Sequence, residues 1–243
     1  MWRAFLSAMQ FLTIIPIPAR IPFSAESATP FFPVIGLVIG LLLCWIDKAA
    51  LMLWEPSVAA AIDVIVLVAV SGALHLDGLA DTADGLYGRR PPDLALAIMK
   101  DSRIGSMGMI AVVLCLAAKW GGIYGLNIHR VTALVLVPAY SRAAVLFGMR
   151  LLPYGRPQGG TGQVFFQTPL KVMDFWAFLL VVLLSLSLGV KALAANIGFL
   201  VLVVLLLGFY RRRMGCITGD MLGAMIEVTE AALFLILSAR IWL

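Results

Sequence analysis

Charged residues are scarce in this chain of 243 residues. Asp, Glu, Lys and Arg together make up 13% of it, whereas hydrophobic residues make up 62%. The mean hydropathy is +1.03. A soluble domain needs far more polar surface than this, so the composition excludes that class and is typical of a polytopic membrane protein. We therefore expect an all-α fold, a bundle of membrane-spanning helices.

Cysteine is also rare, and its pattern excludes two further classes. The three cysteines, Cys44, Cys115 and Cys216, show neither a CxxC spacing nor a cysteine and histidine pattern, so they indicate neither a zinc site nor a disulfide framework. The net charge of +5 comes from basic residues scattered among apolar runs, without a basic tail or an RNA-binding motif. We expect no nucleic-acid partner, since anionic lipid and phosphate ligands explain this charge better.

The lengths of the apolar runs predict about seven membrane-spanning helices in a single domain, residues 1–243. The predicted spans are 34–53, 57–75, 104–124, 131–152, 174–190, 192–210 and 221–242. Only the segment 189–196 separates the fifth and sixth, and merging them would give six spans. Residues 2–15 are too short to span and are interrupted by Gln10 and Thr13, so they predict an interfacial helix.

Basic residues fall mainly on one side of this predicted bundle. Twelve of the 18 lie before the first span and in the loops 76–103, 150–173 and 211–220. The opposite side has five: Lys48, Lys119, Arg130, Lys191 and Arg240. By the positive-inside rule, the side with twelve is cytoplasmic. The polar motifs described next all lie on that side.

The first motif is the acidic stretch HLDGLADTADG at 75–85. Asp77, Asp81 and Asp84 fall on one face of a helix, where they repel each other unless a cation lies among them. Carboxylates near lipid are usually paired or functional, and Mg²⁺ prefers oxygen ligands. The stretch therefore predicts a Mg²⁺ site, for which Mn²⁺ could substitute; a solvated helix end is the alternative. His75 could act as a base, bind phosphate or make a structural hydrogen bond.

A second motif follows a short amphipathic stretch, 93–99, which predicts another interfacial helix. Lys100 and Arg103, three residues apart, could clamp phosphate oxygens, and Asp101 could act as a metal ligand or a general base. The alternative is a set of charges that anchors the entry of the next span.

Charged residues also lie inside the predicted spans. Arg142 requires a carboxylate or phosphate partner there, and Glu227 and Glu230 in the last span require a cation. Two interpretations of these charges are equally open: a structural pair between arginine and glutamate, or a polar cavity that binds substrate.

Two further polar groups flank the last span. Arg211 belongs to a run of three arginines that is typical of a membrane anchor on the positive side. Thr218 and Asp220 open the last span, where the aspartate can face a cavity.

Three stretches together resemble the cobalamin synthase family, the adenosylcobinamide-GDP ribazoletransferases. They are HLDGLADTADG at 75–85, MKDSRIG at 99–105, and TGD at 218–220 followed by LGA and Glu227. Residues 2–18 and FFP at 31–33 are also similar, whereas Gly215-Cys216 departs from the two glycines of the family. The resemblance implies an enzyme of the prokaryotic inner membrane in the last steps of vitamin B12 assembly. Such an enzyme joins adenosylcobinamide-GDP to α-ribazole or its 5′-phosphate, releases GMP and requires Mg²⁺.

This reading assigns a role to each motif. Asp77, Asp81 and Asp84 hold the metal on the diphosphate, and Asp101 or His75 accepts the hydroxyl proton. The candidate substrate-binding residues are Lys100, Arg103, Arg142, Arg211, Thr218, Asp220 and Glu227. The expected partners are the two substrates and membrane lipid. The sequence leaves open whether the chain forms a homo-oligomer. Two rival functions also stay open: a CDP-alcohol lipid phosphotransferase, whose motif begins similarly, and an ion-coupled transporter.

Overall fold

A computed structural model describes residues 1–17, 22–156, 159 and 162–240, and these residues form helices without any strand. The helices are α1 (Trp2–Leu12), α2 (Ala25–Ala28), α3 (Phe32–Leu53), α4 (Pro56–Val70), α5 (Leu74–Leu86), α6 (Pro92–Ile98), α7 (Ser106–Tyr124), α8 (Arg130–Leu151), α9 (Trp176–Ser185), α10 (Lys191–Arg213) and α11 (Gly219–Ser238). Short 3₁₀ turns occupy Thr29–Phe31, Gln163–Phe166, Val172–Phe175 and Leu186–Leu188. The predicted all-α fold is confirmed.

Within the described ranges, five helices are long and apolar enough to cross a membrane: the continuous stretch Ala25–Leu53 that contains α3, and α7, α8, α10 and α11. Helices α4 and α5 reach that length only as a pair bent by 87°. The chain is therefore a multi-pass membrane protein, and its described residues contain five candidate spans, or six if the bent pair is one, rather than the predicted seven. The predicted fifth span corresponds to a shorter apolar helix, Val172–Leu188. Gly189, at φ +60°, separates it from α10, so the two runs do not merge.

The bend between α4 and α5 sets the position of the acidic stretch. The predicted span 57–75 ends early, at Val70, because Gly72 and Ala73 both take left-handed backbone conformations. The Ser71 hydroxyl donates to the carbonyl oxygens of Leu67 and Val68, which satisfies two groups at the end of α4. Helix α5 then begins at Leu74, so the acidic stretch is itself a helix at an angle to the span.

Small residues let the central helices approach closely. A Cβ atom on Gly36 of α3 would lie 2.3 Å from the carbonyl oxygen of Pro138 in α8, and one on Gly122 of α7 would lie 2.8 Å from the backbone of Phe234 in α11. Close backbone packing through small residues is a common way for helices to associate in membranes. Helix α11 packs against α5, α7, α8 and α10 and is the centre of the bundle. Residues 241 and 242 of the predicted last span lie outside the described residues.

Candidate active site

The acidic helix α5 lies directly against the start of α11. A Cβ atom on Gly78 would lie 2.8 Å from the carbonyl oxygen of Asp220, so only glycine permits this contact. The contact brings a third carboxylate to the acidic face, because Asp77 and Asp220 are both close enough to Asp81 to repel its negative charge. The two motifs that the sequence places 140 residues apart therefore share one acidic surface.

Asp84 faces a different neighbour. Its carboxylate oxygens accept hydrogen bonds from the backbone N–H groups of Gly105, at 2.6 Å, and Gly108, at 2.9 Å. These groups lie at the start of α7, where unpaired N–H donors and the helix dipole both favour a carboxylate. Within the described part of the chain, no three side chains of Asp, Glu, His or Cys are grouped so as to hold a metal ion by themselves. The structure thus leaves Asp77 and Asp81 available and fixes Asp84 to the backbone of α7.

A cavity of about 230 Å³ adjoins this acidic surface. One part of its wall is polar and includes Gln10 of α1, His75 and Asp77 of α5, and Asp220 of α11. Another part is aromatic and comes from three separate elements: Phe11 of α1, Phe32 of α3 and Phe165 of the turn Gln163–Phe166. His75 is 4% exposed, and its Nδ1 atom has no hydrogen-bond partner within the described residues.

An open groove of about 330 Å³ lies beside the cavity and carries the basic residues Lys100 and Arg156. Arg156 also contacts the cavity wall, since its Nη2 atom lies 2.8 Å from Oδ2 of Asp220. Backbone hydrogen bonds of 2.9 Å hold the segment before Arg156 in place: Ile217 donates to Pro153, and Gly155 donates to Ile217. Arg156 therefore forms the border between groove and cavity.

The hydroxyl of Thr218 explains why Asp220 is so well positioned. It accepts a hydrogen bond from the backbone N–H of Met221, at 3.3 Å, and so caps α11. The same hydroxyl lies 3.4 Å from Oδ2 of Asp220 and donates to it. Thr218 is buried, and its hydrogen bond to Asp220 orients the aspartate side chain.

Asp101 and Arg103 lie away from the cavity, in a second groove that they share with Asp84 and Tyr87. They form an exposed ion pair in which Arg103 Nε donates to both carboxylate oxygens of Asp101, at 3.0 and 3.1 Å. Hydrogen bonds from the side chain and backbone of Arg103 lower the pKa of Asp101 to about 2. The structure does not bring Asp101 to His75, the other candidate base.

Arg142 and Glu227 belong to a buried ionic cluster in the middle of the bundle. Lys119 Nζ lies 2.8 Å from Glu227 Oε2 and 2.6 Å from Glu230 Oε2, and Arg142 pairs with the other oxygen of Glu230. The Ser141 hydroxyl donates to Glu230 at 3.0 Å. Two cations thus balance two carboxylates, and none of them lines the cavity. The geometry is that of a structural pair.

Arg211 is exposed and lies outside both the cavity and the groove. Its Nη2 atom donates to the carbonyl oxygen of Leu151, at 3.0 Å, which ties the end of α10 to the end of α8. A cation at a helix C-terminus satisfies unpaired carbonyl groups.

Four charged residues that are paired in the structure have no role assigned from the sequence: Arg156, Lys119, Asp47 and Asp63. Arg156 was only one basic residue of a loop, and nothing in its local pattern distinguishes it. Lys119 was counted with the opposite side although it falls within the predicted span 104–124, where a lysine requires a partner; the two glutamates of the last span were the available signal. Asp47 and Asp63, both inside predicted spans, pair with Arg130 at 2.6 and 3.1 Å.

Comparison with known proteins identifies the family. The family model described as cobalamin-5-phosphate synthase matches residues 4–238. An adenosylcobinamide-GDP ribazoletransferase of Brevibacillus brevis is 36% identical, with 99% of this chain and 100% of the relative covered. Relatives with the same description are 37% identical in Alkaliphilus metalliredigens, covering 95% and 93%, and 38% identical in a Roseiflexus species, covering 92% and 84%. No solved structure matches the chain. The chain therefore belongs to the cobalamin-5-phosphate synthase family and is a transferase of cobalamin biosynthesis.

Proposed function

We propose that this transferase joins adenosylcobinamide-GDP to α-ribazole, or to α-ribazole 5′-phosphate, and releases GMP in a Mg²⁺-dependent reaction. The names of the relatives supply the donor and the ribazole acceptor. The observation that carries the proposal is the acidic surface of Asp77, Asp81 and Asp220, which lies between the cavity and the basic groove of Lys100 and Arg156. Carboxylates beside cations form the arrangement that phosphoryl transfer requires.

The acidic surface fits a divalent cation that is held together with substrate phosphates. Its donors are all oxygens, and its three carboxylates carry more negative charge than the positive charge of Arg156 beside them can balance. Mg²⁺ is usually bound by one or two carboxylates plus water and phosphates rather than by a complete protein cage. Asp77 and Asp81 would hold it, and Asp220 lies beside them. When bound, the ion neutralises charge on the diphosphate and on the leaving phosphate.

The basic residues of the groove position the donor. Lys100 and Arg156 bind its phosphate oxygens through charge-assisted hydrogen bonds. A hydroxyl oxygen of the acceptor then forms a bond to the phosphorus that carries the cobinamide, the bond from that phosphorus to the bridging oxygen breaks, and GMP leaves. Arg103 pairs with Asp101 outside this path, and Arg142, Arg211 and Glu227 support the bundle rather than the substrate.

His75 is the better candidate to accept the proton of the attacking hydroxyl. It lines the cavity, and its Nδ1 atom makes no hydrogen bond to another described residue. Asp101 is held in an ion pair with Arg103 and lines a different groove. A general base must lie within hydrogen-bond reach of the proton that it removes.

The membrane setting forms part of the proposal. Of the basic residues in the described ranges, eleven belong to segments at the end of the bundle that carries the acidic surface and four to segments at the opposite end, while Lys119 and Arg142 lie in the buried ionic cluster. We therefore place the first end on the cytoplasmic side of a prokaryotic inner membrane. Membrane lipid contacts the exposed apolar side chains of the outer helices, such as Leu200 and Leu205 of α10.

The direct test is GMP release by the purified protein in detergent, supplied with adenosylcobinamide-GDP and α-ribazole. We expect release with Mg²⁺ and none with excess chelator. Asp77→Asn and Asp81→Asn should each lower the rate by about 100-fold or more, while Glu26→Gln, an exposed carboxylate outside cavity and groove, should not. Turnover in excess chelator, or near-normal rates in both aspartate variants, would refute the proposed metal site.

The same assay separates the rival functions. A lipid phosphotransferase would release CMP from a CDP-alcohol, and a transporter would move an ion into liposomes without nucleotide chemistry. A transporter also requires charges that change partners within the spans, whereas Lys119, Arg142, Glu227 and Glu230 are paired with one another. The family match favours neither rival.

A further inference from the structure

The aromatic part of the cavity wall is a connected group of rings. The centroids of Phe11 and Phe165 are 4.5 Å apart, those of Phe32 and Phe165 are 5.7 Å apart, and those of Phe11 and Phe32 are 5.9 Å apart. Phe32 is fully buried and Phe165 is 4% exposed, so surrounding atoms fix their positions. Aromatic faces that border a cavity offer stacking surfaces to a flat apolar group.

The polar part of the same wall has the opposite chemistry. Asp77 and Asp220 offer carboxylate oxygens, which accept hydrogen bonds from hydroxyl groups. His75 offers an unpartnered ring nitrogen. A ligand that satisfies both parts of the wall therefore combines a flat aromatic body with a hydroxyl-bearing body, and a nucleoside has this composition.

The size of the cavity restricts the choice further. Its volume of about 230 Å³ is below the roughly 300–1,000 Å³ of sites for drug-sized ligands. A cavity of this size cannot enclose a corrinoid macrocycle, so the larger part of the donor is excluded from it. Under the proposed function the donor phosphates bind in the groove of Lys100 and Arg156, which is lined by a different set of residues.

We propose that this cavity is the acceptor subsite, where an aromatic nucleoside binds with its base against Phe11 and Phe165, which pack on the buried Phe32, and with its ribose hydroxyls at Asp77 and Asp220. The assignment rests on the proposed function, since it identifies α-ribazole as the occupant. It places the attacking hydroxyl beside His75 and beside the acidic surface. Arg156, at the border of the cavity, then separates acceptor from donor.

The test is equilibrium binding of α-ribazole to the purified full-length protein in detergent, without the donor. Phe11→Leu and Phe165→Leu keep an apolar side chain but remove the ring. Stacking on a lost ring should be visible as an increase of about tenfold in Kd in each variant. The matched control is Phe23→Leu, because the Phe23 ring contacts both Phe11 and Phe165 but does not line the cavity. Its Kd should equal that of the unmodified protein.

Steady-state kinetics separate the acceptor from the donor. In the Phe11 and Phe165 variants, KM for α-ribazole should rise while KM for adenosylcobinamide-GDP stays constant. Unchanged α-ribazole binding in both variants, or an equal loss in the Phe23 control, would overturn the assignment. A rise in KM for the donor alone would show that the cavity binds the donor and not the acceptor. Thermal unfolding checks that each variant is folded. If Phe165→Leu is unstable, Phe11→Leu still tests the subsite, because Phe11 on α1 is only half-buried.

Failure of the subsite and failure of the proposed function give different results. If the unmodified protein turns over both substrates but the phenylalanine variants bind α-ribazole normally, only the subsite is wrong. If the unmodified protein releases no GMP yet binds α-ribazole in a manner sensitive to Phe11 and Phe165, the subsite stands and the reaction is wrong.

Discussion

The buried ionic cluster of Lys119, Arg142, Glu227 and Glu230 permits a sharp test of charge balance. Lys119→Met removes one of two cations and leaves Glu227 without a cationic partner, in contact only with the Cys115 thiol at 3.8 Å, while Glu230 keeps Arg142. All four side chains are at most 5% exposed. Removing one partner of a buried pair costs about 3–5 kcal/mol because the remaining charge is uncompensated.

The expected signature is a large fall in Tm for Lys119→Met. A domain of 150–250 residues shifts by about 2–4 °C per kcal/mol, so the loss corresponds to roughly 6–20 °C. The double variant Lys119→Met/Glu227→Gln restores neutrality and leaves the pair between Arg142 and Glu230. We expect its Tm to lie above that of Lys119→Met, although it carries one more substitution.

The assay is thermal unfolding in detergent followed by circular dichroism. Arg103→Gln is the control, because it breaks an ion pair in which the arginine side chain is 87% exposed, and its Tm should not change measurably. A double variant whose loss equals the sum of the two single losses would refute the charge-balance argument. The cluster would then contribute through packing alone.

Three further predictions concern the candidate site. Gly78→Ala should abolish most GMP release and lower Tm, since its Cβ would lie 2.8 Å from a backbone oxygen of α11. The control is Gly121→Ala, which should keep both activity and Tm because its Cβ would have nothing within 4 Å. Asp84→Ala should cost about 0.5–2 kcal/mol in a denaturation experiment, because two N–H groups of α7 lose their acceptor. Arg156→Gln should raise KM for adenosylcobinamide-GDP at least tenfold while Tm stays within a few degrees, since the change removes a charged phosphate ligand.

Local sequence patterns were sufficient for much of the fold. Apolar run length identified a helix at every predicted span, because the cost of burying backbone groups in lipid forces each such run into a helix. The short helices at the start of the chain and after the acidic stretch were also expected and are present as α1 and α6. The bend before α5 was not expected, since left-handed Ala73 gives no signal in the sequence.

The candidate site was only partly visible in the sequence. Helical spacing placed Asp77, Asp81 and Asp84 on one face, but spacing does not show what each side chain meets, and Asp84 meets the start of α7. Lys100 and Asp101 are neighbours in the chain, yet they line different grooves.

The sequence by itself determined the class of protein, the helical spans and the family, because hydropathy, helix period and motifs are local properties. The tertiary structure decided which charges meet: Asp220 with the acidic face of α5, Arg156 with Asp220, and the glutamates of α11 with Lys119 and Arg142. It also decided that three phenylalanines from distant parts of the chain border the same cavity as His75. Such contacts join residues far apart in sequence, so no local pattern specifies them; the close approach of α5 to α11 at Gly78, for example, is what brings Asp220 to the acidic face.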